Sequence, residues 1–268
     1  MMRLACNISL IFTEVPLQNR FFAAHLAGFK TVEIQFPYTV ELAVLQSARE
    51  IANVDVALIN VPAGDLMQGG EGLAGVPGKE DEFKEAVAQC ITYAKGLGAR
   101  VVNVLAGRCL YAGQEEIYLN TFKKNLAYAA SELEQHGILC TFEAINTKDM
   151  PGFLVHNTQQ MLDILAELDH PNLQMQFDIY HMQIMDGHVD ETLQHHAHQI
   201  GHIQFADFPG RGQPGTGNLN FKKIFELIKQ SGYSGYVAAE YKPTGKSEES
   251  FNWLRDYDLS WLEGEPEF

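Results

Sequence analysis

Residues 100–145 read RVVNVLAGRCLYAGQEEIYLNTFKKNLAYAASELEQHGILCTFEAI. A short β-branched run at 100–105 is followed by a long amphipathic stretch at 114–136 and by a second apolar run at 138–145. Short runs rich in valine and isoleucine are typical of buried strands, and apolar residues at three- and four-residue spacing are typical of helices. The segment therefore predicts a strand, a helix and a second strand parallel to the first.

The same alternation extends in both directions along the chain. Eight strands are predicted, at residues 3–10, 31–36, 55–61, 100–105, 138–145, 173–179, 202–206 and 236–241. The predicted helices are 17–27, 39–52, 80–97, 114–136, 157–168, 189–199, 221–231 and 247–262. Eight rounds of alternation close naturally into a barrel, so the predicted fold class is α/β, a single-domain (β/α)₈ TIM barrel over residues 1–268. An open doubly wound sheet is the alternative architecture.

The composition restricts the partners and the location. The formal net charge of −15 at pH 7 argues against broad contacts with nucleic acid or an anionic membrane. A small-molecule oxo-acid or sugar substrate is expected instead, with a possible homo-oligomer. No signal-peptide pattern or membrane-length apolar run is visible, and the four cysteines form no CxxC pair. A cytoplasmic location is therefore expected.

Two connections are longer than a barrel requires. Residues 62–78 form a glycine-rich loop after the third predicted strand, and residues 207–218 follow the seventh. Active sites of such barrels lie at the carboxyl ends of the strands, where both loops begin. The first loop is either a lid or a plain surface loop, and its glycine spacing matches no phosphate-binding motif. The second loop carries Arg211, which can approach a site there.

Polar residues stand near the ends of the last four predicted strands. They are Glu143, Asp178, Gln204 and Glu240, each between apolar neighbours. An unpaired carboxylate buried there would be costly, so positive charge is expected among them. Three carboxylates and an amide oxygen converging on one point would suit a divalent metal, Mg²⁺ or Mn²⁺, rather than zinc or copper. The alternative is that each acid pairs separately with a lysine or arginine.

Seven short segments carry a family resemblance. They are FTEVP (12–16), PGKE (77–80), FEAIN (142–146), QFDIYHMQ (176–183), GHIQFAD (201–207), GTG (215–217) and EYKP (240–243). Together they resemble the xylose isomerase-like barrels and, within them, the hydroxypyruvate isomerases. DIYH and EYKP are the most specific parts. Related sugar epimerases commonly have histidine where Gln204 stands, so the glutamine favours the hydroxypyruvate isomerase branch.

The resemblance implies a divalent-metal-dependent isomerase that interconverts hydroxypyruvate and tartronate semialdehyde. It implies that Glu143, Asp178, Gln204 and Glu240 hold the metal, while Glu143 and Glu240 also move the proton. A carboxylate on either side of the substrate can take a proton from one carbon and return it to the next, through an enediolate that a divalent cation stabilises. A metal-assisted hydride shift is the alternative mechanism.

Two further residues are predicted to bind the substrate. His181, three residues beyond Asp178, is expected to donate a hydrogen bond to a substrate oxygen without becoming a metal ligand. Arg211 is expected to bind the substrate carboxylate with two hydrogen bonds, and a solvated loop arginine is its equally weighted alternative.

Other functions stay open on this scaffold. A 2-oxo-tetronate isomerase or a sugar epimerase would keep the metal and both glutamates, and a non-catalytic binding barrel would need neither. An endonuclease IV-type barrel needs a zinc cluster held by several histidines and a basic groove for DNA, and the sequence indicates neither. The run His195-His196-Ala197-His198 is interpreted as a solvated helix face. Trp253 and Trp261 are interpreted as packing on one face of the last helix or as a subunit contact.

Overall fold

The fold is a closed barrel of parallel strands. The computed structural model describes residues 2–263. Its strands are β1 (Arg3–Asn7), β2 (Thr31–Ile34), β3 (Asp55–Asn60), β4 (Val101–Val104), β5 (Leu139–Glu143), β6 (Leu173–Asp178), β7 (Ile200–Phe205) and β8 (Tyr236–Ala239). Each strand pairs in parallel with the next in chain order, and β1 pairs with β8. The predicted (β/α)₈ barrel is confirmed, and the open sheet is excluded.

Helices alternate with the strands and cover the barrel. Those in the described residues are α1 (Leu17–Leu26), α2 (Leu42–Ala52), α3 (Glu80–Leu97), α4 (Glu115–Glu134), α5 (Thr158–Leu168), α6 (Ile179–Met185), α7 (Val189–His195) and α8 (Phe221–Gln230). Asn157 caps α5, since its side chain accepts a hydrogen bond from the backbone N–H of Gln160. None of the helices within residues 2–263 has the length and apolar character needed to cross a lipid bilayer.

The barrel interior becomes polar toward the carboxyl ends of the strands. Several polar side chains there are at most 5% exposed: Asn7, Glu33, Asn60, Asn103, Glu143, Gln176, Asp178, Gln204 and Glu240. Each lies at or near the end of its strand. Buried polar groups must be paired with one another or with a ligand, so this layer is where a binding site is expected.

The C-terminal segment is not the helix predicted at 247–262. It forms two 3₁₀ helices, Ser247–Glu249 and Asn252–Arg255, and the following residues are turns. The hydroxyl of Ser250 donates to the carbonyl of Ser247 at 2.7 Å, and such local bonds compete with a regular helix.

The tryptophan pair does not share a helix face. Trp253 is buried, with its ring centroid 5.4 Å from that of Phe205. Its indole N–H donates to the hydroxyl of Tyr241 at 3.3 Å. Trp261 is partly buried in a later turn. Trp253 therefore belongs to the core of the barrel rather than to a subunit contact.

Two helices around β6 and β7 also differ from the prediction. α6 begins directly after β6, where a strand end and a loop were predicted, because the Asp178 side chain caps it by accepting from the N–H of Tyr180 at 2.8 Å. The helix predicted at 189–199 ends at His195, and a 3₁₀ turn follows at Ala197–Gln199. His195 and His198 are exposed, which agrees with a solvated histidine run.

Candidate active site

A cavity of about 510 Å³ opens at the carboxyl ends of the strands. Glu143 and Gln204 line it from β5 and β7, and Glu240 lines it one residue after β8. His181 from α6 and Arg211 from the loop after β7 complete one side of it. The fold thus brings residues from four successive strands and their loops to one cavity.

Glu143, Asp178 and His181 form a compact cluster. In the described residues they are the one group of three acidic or histidine side chains whose potential ligand atoms all lie within 4.8 Å of one another. His181 Nε2 lies 3.9 Å from Glu143 Oε1 and 3.5 Å from Asp178 Oδ2. Asp178 Oδ2 is buried and has no hydrogen-bond partner among the described atoms. An acceptor oxygen is therefore available to a ligand at this point.

Arg211 supplies positive charge to the acids. Its Nη2 donates to Glu240 Oε2 at 2.7 Å and lies 3.6 Å from Asp178 Oδ2. The guanidinium also lies over the ring of Tyr180, 5.2 Å from the ring centroid. Its Nε–H is buried and meets no acceptor in the described structure. Arg211 therefore reaches the cavity and keeps a donor that no described protein group uses.

Burial controls the protonation of these groups. Burial raises the pKa of Glu143 well above its ordinary value, and the carboxylates of Glu240 and Asp178 raise it further. Burial raises the pKa of Glu240 to about 8 against the opposing effect of Arg211, and the pKa of Asp178 is raised in the same way. For His181, burial and the Arg211 charge lower the pKa well below its ordinary value, so the imidazole is neutral. Arg211 brings one positive charge to three neighbouring carboxyl groups, so it cannot neutralise all of them.

Gln204 is held between two neighbours. Its Nε2 donates to Glu33 Oε1 at 2.7 Å, and its Oε1 accepts from Gln176 Nε2 at 2.7 Å. Gln176 Nε2 also donates to Glu143 Oε2 at 3.0 Å. The amide oxygen of Gln204 is therefore directed to the same side of the barrel as the Glu143 carboxylate.

A buried hydrogen-bond network supports Glu240 from the first two strands. Asn7 donates to Glu240 Oε1 at 2.9 Å, and Gln35 donates to the same oxygen at 2.8 Å. Asn7 also donates to Glu33 Oε1 at 2.8 Å, and Glu33 Oε2 lies 2.6 Å from His202 Nε2. Both oxygens of Glu240 are thus engaged, since Arg211 contacts the other one.

Sequence reasoning missed Asn7, Glu33, Gln35 and Gln176. A signal was present, because Glu33 stands between Val32 and Ile34 in a short apolar strand, as the predicted ligands do. The predicted ligands comprise one polar residue from each of the last four strands, which leaves out Gln176 of β6 and the polar residues of the first two strands. The first two strands contribute equally to a closed barrel.

The residues present fit a divalent cation. Glu143, Asp178, Gln204 and Glu240 offer only oxygen atoms, the donor type that hard cations prefer, and Asp178 Oδ2 is an unsatisfied acceptor. Separate pairing of each acid with a cation does not explain the site. Arg211 pairs with Glu240 and Asp178, whereas Glu143 has no lysine or arginine within ion-pair distance in residues 2–263.

The glycine-rich loop at 62–78 reaches the cavity. Met67, which is 56% exposed, lies in this loop and lines the opening. Arg108 donates to the carbonyls of Gly69 and Pro151, at 2.9 and 2.7 Å, and so ties this loop to the one after β5. The loop is thus a folded wall of the cavity mouth.

Comparison with known proteins identifies the family. Residues 21–257 match the family of xylose isomerase-like TIM barrels. The chain is 39% identical to the hydroxypyruvate isomerase of Escherichia coli, over 96% of this chain and 100% of that protein. It is 35% identical to a 2-oxo-tetronate isomerase of Cupriavidus necator, over 96% of this chain and 99% of that protein.

A solved structure agrees with this placement. The structure, named as an AP endonuclease of family 2 from Brucella melitensis, superposes with a TM-score of 0.91 at 34% identity, covering 96% of this chain and 99% of that one. The fold, the sequence motifs and the relatives all indicate the same family. The chain belongs to the xylose isomerase-like TIM barrel family, and the resemblance of its sequence to the hydroxypyruvate isomerases is confirmed.

Proposed function

We propose that this protein is a hydroxypyruvate isomerase that interconverts hydroxypyruvate and tartronate semialdehyde (2-hydroxy-3-oxopropanoate). One observation carries the proposal. Two buried glutamates, Glu143 and Glu240, line one cavity, and Glu143 belongs to a cluster whose acids fit a divalent cation. The identity to hydroxypyruvate isomerases over nearly the whole chain supports the substrate.

The two glutamates are the proposed proton-transfer groups. One carboxylate takes the proton from C3 of hydroxypyruvate, the C2 carbonyl becomes part of an enediolate, and the other carboxylic acid delivers a proton to C2. A proton also passes from the C3 oxygen to the C2 oxygen, so the atoms of substrate and product balance. Without a bound cation, burial raises the pKa of Glu240 to about 8. The positive charge of a bound cation would lower this pKa, which makes a carboxylate that accepts a proton available at neutral pH.

Glu143, Asp178, Gln204 and Glu240 are the proposed ligands of Mg²⁺ or Mn²⁺. When bound there, the cation supplies positive charge against the enediolate oxygens. Asp178 and Gln204 contribute no proton in this scheme. Their hydrogen bonds with Tyr180, Glu33 and Gln176 hold the oxygens in place.

Arg211 and His181 are the proposed substrate-binding residues. The unused Nε–H of Arg211 is available to a carboxylate oxygen of the substrate. His181 Nε2 faces the carboxylates of Glu143 and Asp178, so it could donate to a substrate oxygen held near them. A charged oxo acid needs such an arginine, whereas an uncharged sugar does not.

A 2-oxo-tetronate isomerase is the second candidate. Its support is the 35% identity to the Cupriavidus necator enzyme and a cavity of about 510 Å³, which also accommodates a four-carbon oxo acid. DNA cleavage has less support, because the net charge of −15 repels phosphate and the acid cluster contains a single histidine. Four free cysteines, three of them buried, favour a reducing cytoplasm as the location.

The test is an isomerisation assay in deuterated water. Purified protein loaded with Mg²⁺ or Mn²⁺ is incubated with hydroxypyruvate, a four-carbon 2-oxo acid, an uncharged ketose and abasic DNA. We expect tartronate semialdehyde carrying solvent deuterium at C2, because proton transfer exchanges with solvent and a hydride shift does not. Turnover of the four-carbon acid alone, or product without deuterium, would contradict the proposed substrate or mechanism respectively.

A further inference from the structure

Asn146 has an environment that fixes the orientation of its side-chain amide. It lies three residues after Glu143 and is fully buried. Its Oδ1 accepts hydrogen bonds from the backbone N–H groups of Lys148 and Asp149, at 3.1 and 2.8 Å. If the side-chain amide were flipped, its NH₂ group would face these backbone N–H groups, and donors would oppose donors. The amide nitrogen must therefore face the opposite way, toward Asp149 Oδ2 at 3.0 Å and toward the ring of His181.

His181 Nδ1 consequently meets only donors. Asn146 Nδ2 lies 2.7 Å from it and the Asn146 backbone N lies 3.4 Å from it. A ring nitrogen that receives hydrogen bonds carries no proton, and in a neutral imidazole the proton then sits on the other nitrogen. That nitrogen, Nε2, faces Glu143 Oε1 and Asp178 Oδ2.

We infer that Asn146 is a positioning residue that locks His181 in the tautomer protonated on Nε2, which makes His181 a neutral hydrogen-bond donor and removes it from the metal ligands. A neutral imidazole binds a metal through an unprotonated nitrogen. The unprotonated nitrogen of His181 is occupied by Asn146. The compact cluster of Glu143, Asp178 and His181 thus divides into two acceptors for a cation and one donor for a substrate oxygen.

Asp149 extends the arrangement to a second residue of the cavity. Its Oδ2 accepts from Asn146 Nδ2 and from the hydroxyl of Tyr180 at 2.9 Å. Tyr180 in turn lies under the Arg211 guanidinium. The two proposed substrate-binding residues, His181 and Arg211, are therefore connected through Asn146, Asp149 and Tyr180. The role of His181 toward substrate rests on the proposed function, whereas its tautomer does not.

The tautomer is measured directly by NMR. In ¹⁵N-labelled protein, long-range ¹H–¹⁵N correlations distinguish protonated from unprotonated ring nitrogens, and His181→Gln identifies the His181 signals among the ten histidines. We expect an unprotonated Nδ1 and a protonated Nε2 in the wild type at pH 7. A protonated Nδ1 would overturn the inference, and this measurement needs no substrate.

Two variants test the cause. Asn146→Asp and Asn146→Ala remove the side-chain donor to Nδ1 and leave only the backbone N–H at 3.4 Å, so the Nε2-protonated form should no longer be the only one. Asn53→Asp makes the same chemical change as Asn146→Asp at an exposed helix end and should leave the spectrum of His181 unchanged. Unchanged His181 signals in both Asn146 variants would overturn the inference. Addition of Mg²⁺ to the wild type should leave the Nε2 proton in place, and its loss would make His181 a ligand and overturn the inference as well.

Kinetics separates positioning from a structural role. Asn146→Ala should lower kcat/KM about tenfold through the loss of one oriented hydrogen bond. In a His181→Gln background the same change should have little further effect, because it acts through His181. Additive losses would overturn the inference. A protein that shows the expected tautomer but does not turn over hydroxypyruvate would instead contradict the proposed function alone.

Discussion

Arg211 donates a hydrogen bond to Glu240 at 2.7 Å, so the proposed substrate-binding cation directly contacts a proposed proton-transfer carboxylate. The contact couples two roles that the sequence presents as separate. Arg211 opposes the rise in the pKa of Glu240 that burial causes, and it also stands where a substrate carboxylate is expected. A change at Arg211 should therefore alter both the proposed binding of substrate and the protonation of Glu240.

Arg211→Ala should lower kcat/KM for hydroxypyruvate by a factor that corresponds to about 1.5–3 kcal/mol, the usual value of a charge-assisted hydrogen bond. An uncharged ketose should lose less, since only the effect on Glu240 remains. The measurement is kcat/KM for both substrates in the wild type, Arg211→Ala and Lys242→Ala, because Lys242 is the other cation that lines the cavity. Equal losses for both substrates in Arg211→Ala, or a charge-dependent loss only in Lys242→Ala, would show that Arg211 does not bind the carboxylate.

Glu240→Gln should keep the fold and lose about 10²- to 10⁴-fold in kcat, because an amide has the shape of the carboxylate but accepts no proton as a base. The amide oxygen can still accept from Asn7 and Gln35, which limits the structural damage. Turnover is measured at saturating Mn²⁺, with circular dichroism and Tm as controls for folding. Activity near that of the wild type would remove Glu240 from the mechanism.

Mg²⁺ or Mn²⁺ should raise the Tm of the protein, because a ligand that binds only the folded state stabilises it by about 2.7 kcal/mol at 100 times its Kd. Asp178→Asn should abolish most of this shift, since it removes the carboxylate whose Oδ2 has no described partner. Thermal unfolding with added metal and with a chelator provides the measurement. If the metal raised the Tm of Asp178→Asn as much as that of the wild type, the cation would bind elsewhere. Glu167→Gln is the control for loss of negative charge, since Glu167 forms an exposed ion pair with Lys123.

Trp253→Ala should lower the free energy of unfolding by about 3–5 kcal/mol, because it opens a cavity against Phe205 and leaves the Tyr241 hydroxyl with one donor fewer. Trp261→Ala is the matched control and should cost less, since that side chain is only partly buried. Chemical denaturation with a constant m-value measures both. Similar losses for the two variants would contradict the assignment of Trp253 to the core.

The barrel was predictable because its signal is repeated eight times. Strand and helix periodicities recur with every unit, so an error in one unit leaves the architecture intact. The placement of Glu143 and Glu240 near strand ends followed from the same pattern, although their chemical roles stay predictions. Seven of the eight strands are shorter than predicted, β7 begins two residues earlier than predicted, and Glu240 lies just beyond β8.

The remaining features depend on contacts that periodicity does not contain. The segment 247–262 has the apolar content of a helix. Trp253, however, bonds to Tyr241 outside the segment, and Ser250 bonds to the nearby backbone of Ser247, and these contacts compete with a continuous helix. The position of Arg211 at the cavity depends on the path of the loop that carries it, which the periodicity of the sequence does not determine. The hydrogen bonds of Glu33 and Gln176 were not predicted, because only the closed barrel brings these two side chains against Gln204.

Asn7 and Glu240 lie 233 residues apart along the chain, yet a 2.9 Å hydrogen bond joins them across the line where β1 meets β8. A growing chain on the ribosome contains Asn7 long before it contains Glu240, because 233 residues separate them. Until then β1 has no partner on one edge, and the cavity lacks the carboxylate of Glu240. Contacts of such long sequence separation form slowly, so we expect the cavity to be completed in the same step that closes the sheet.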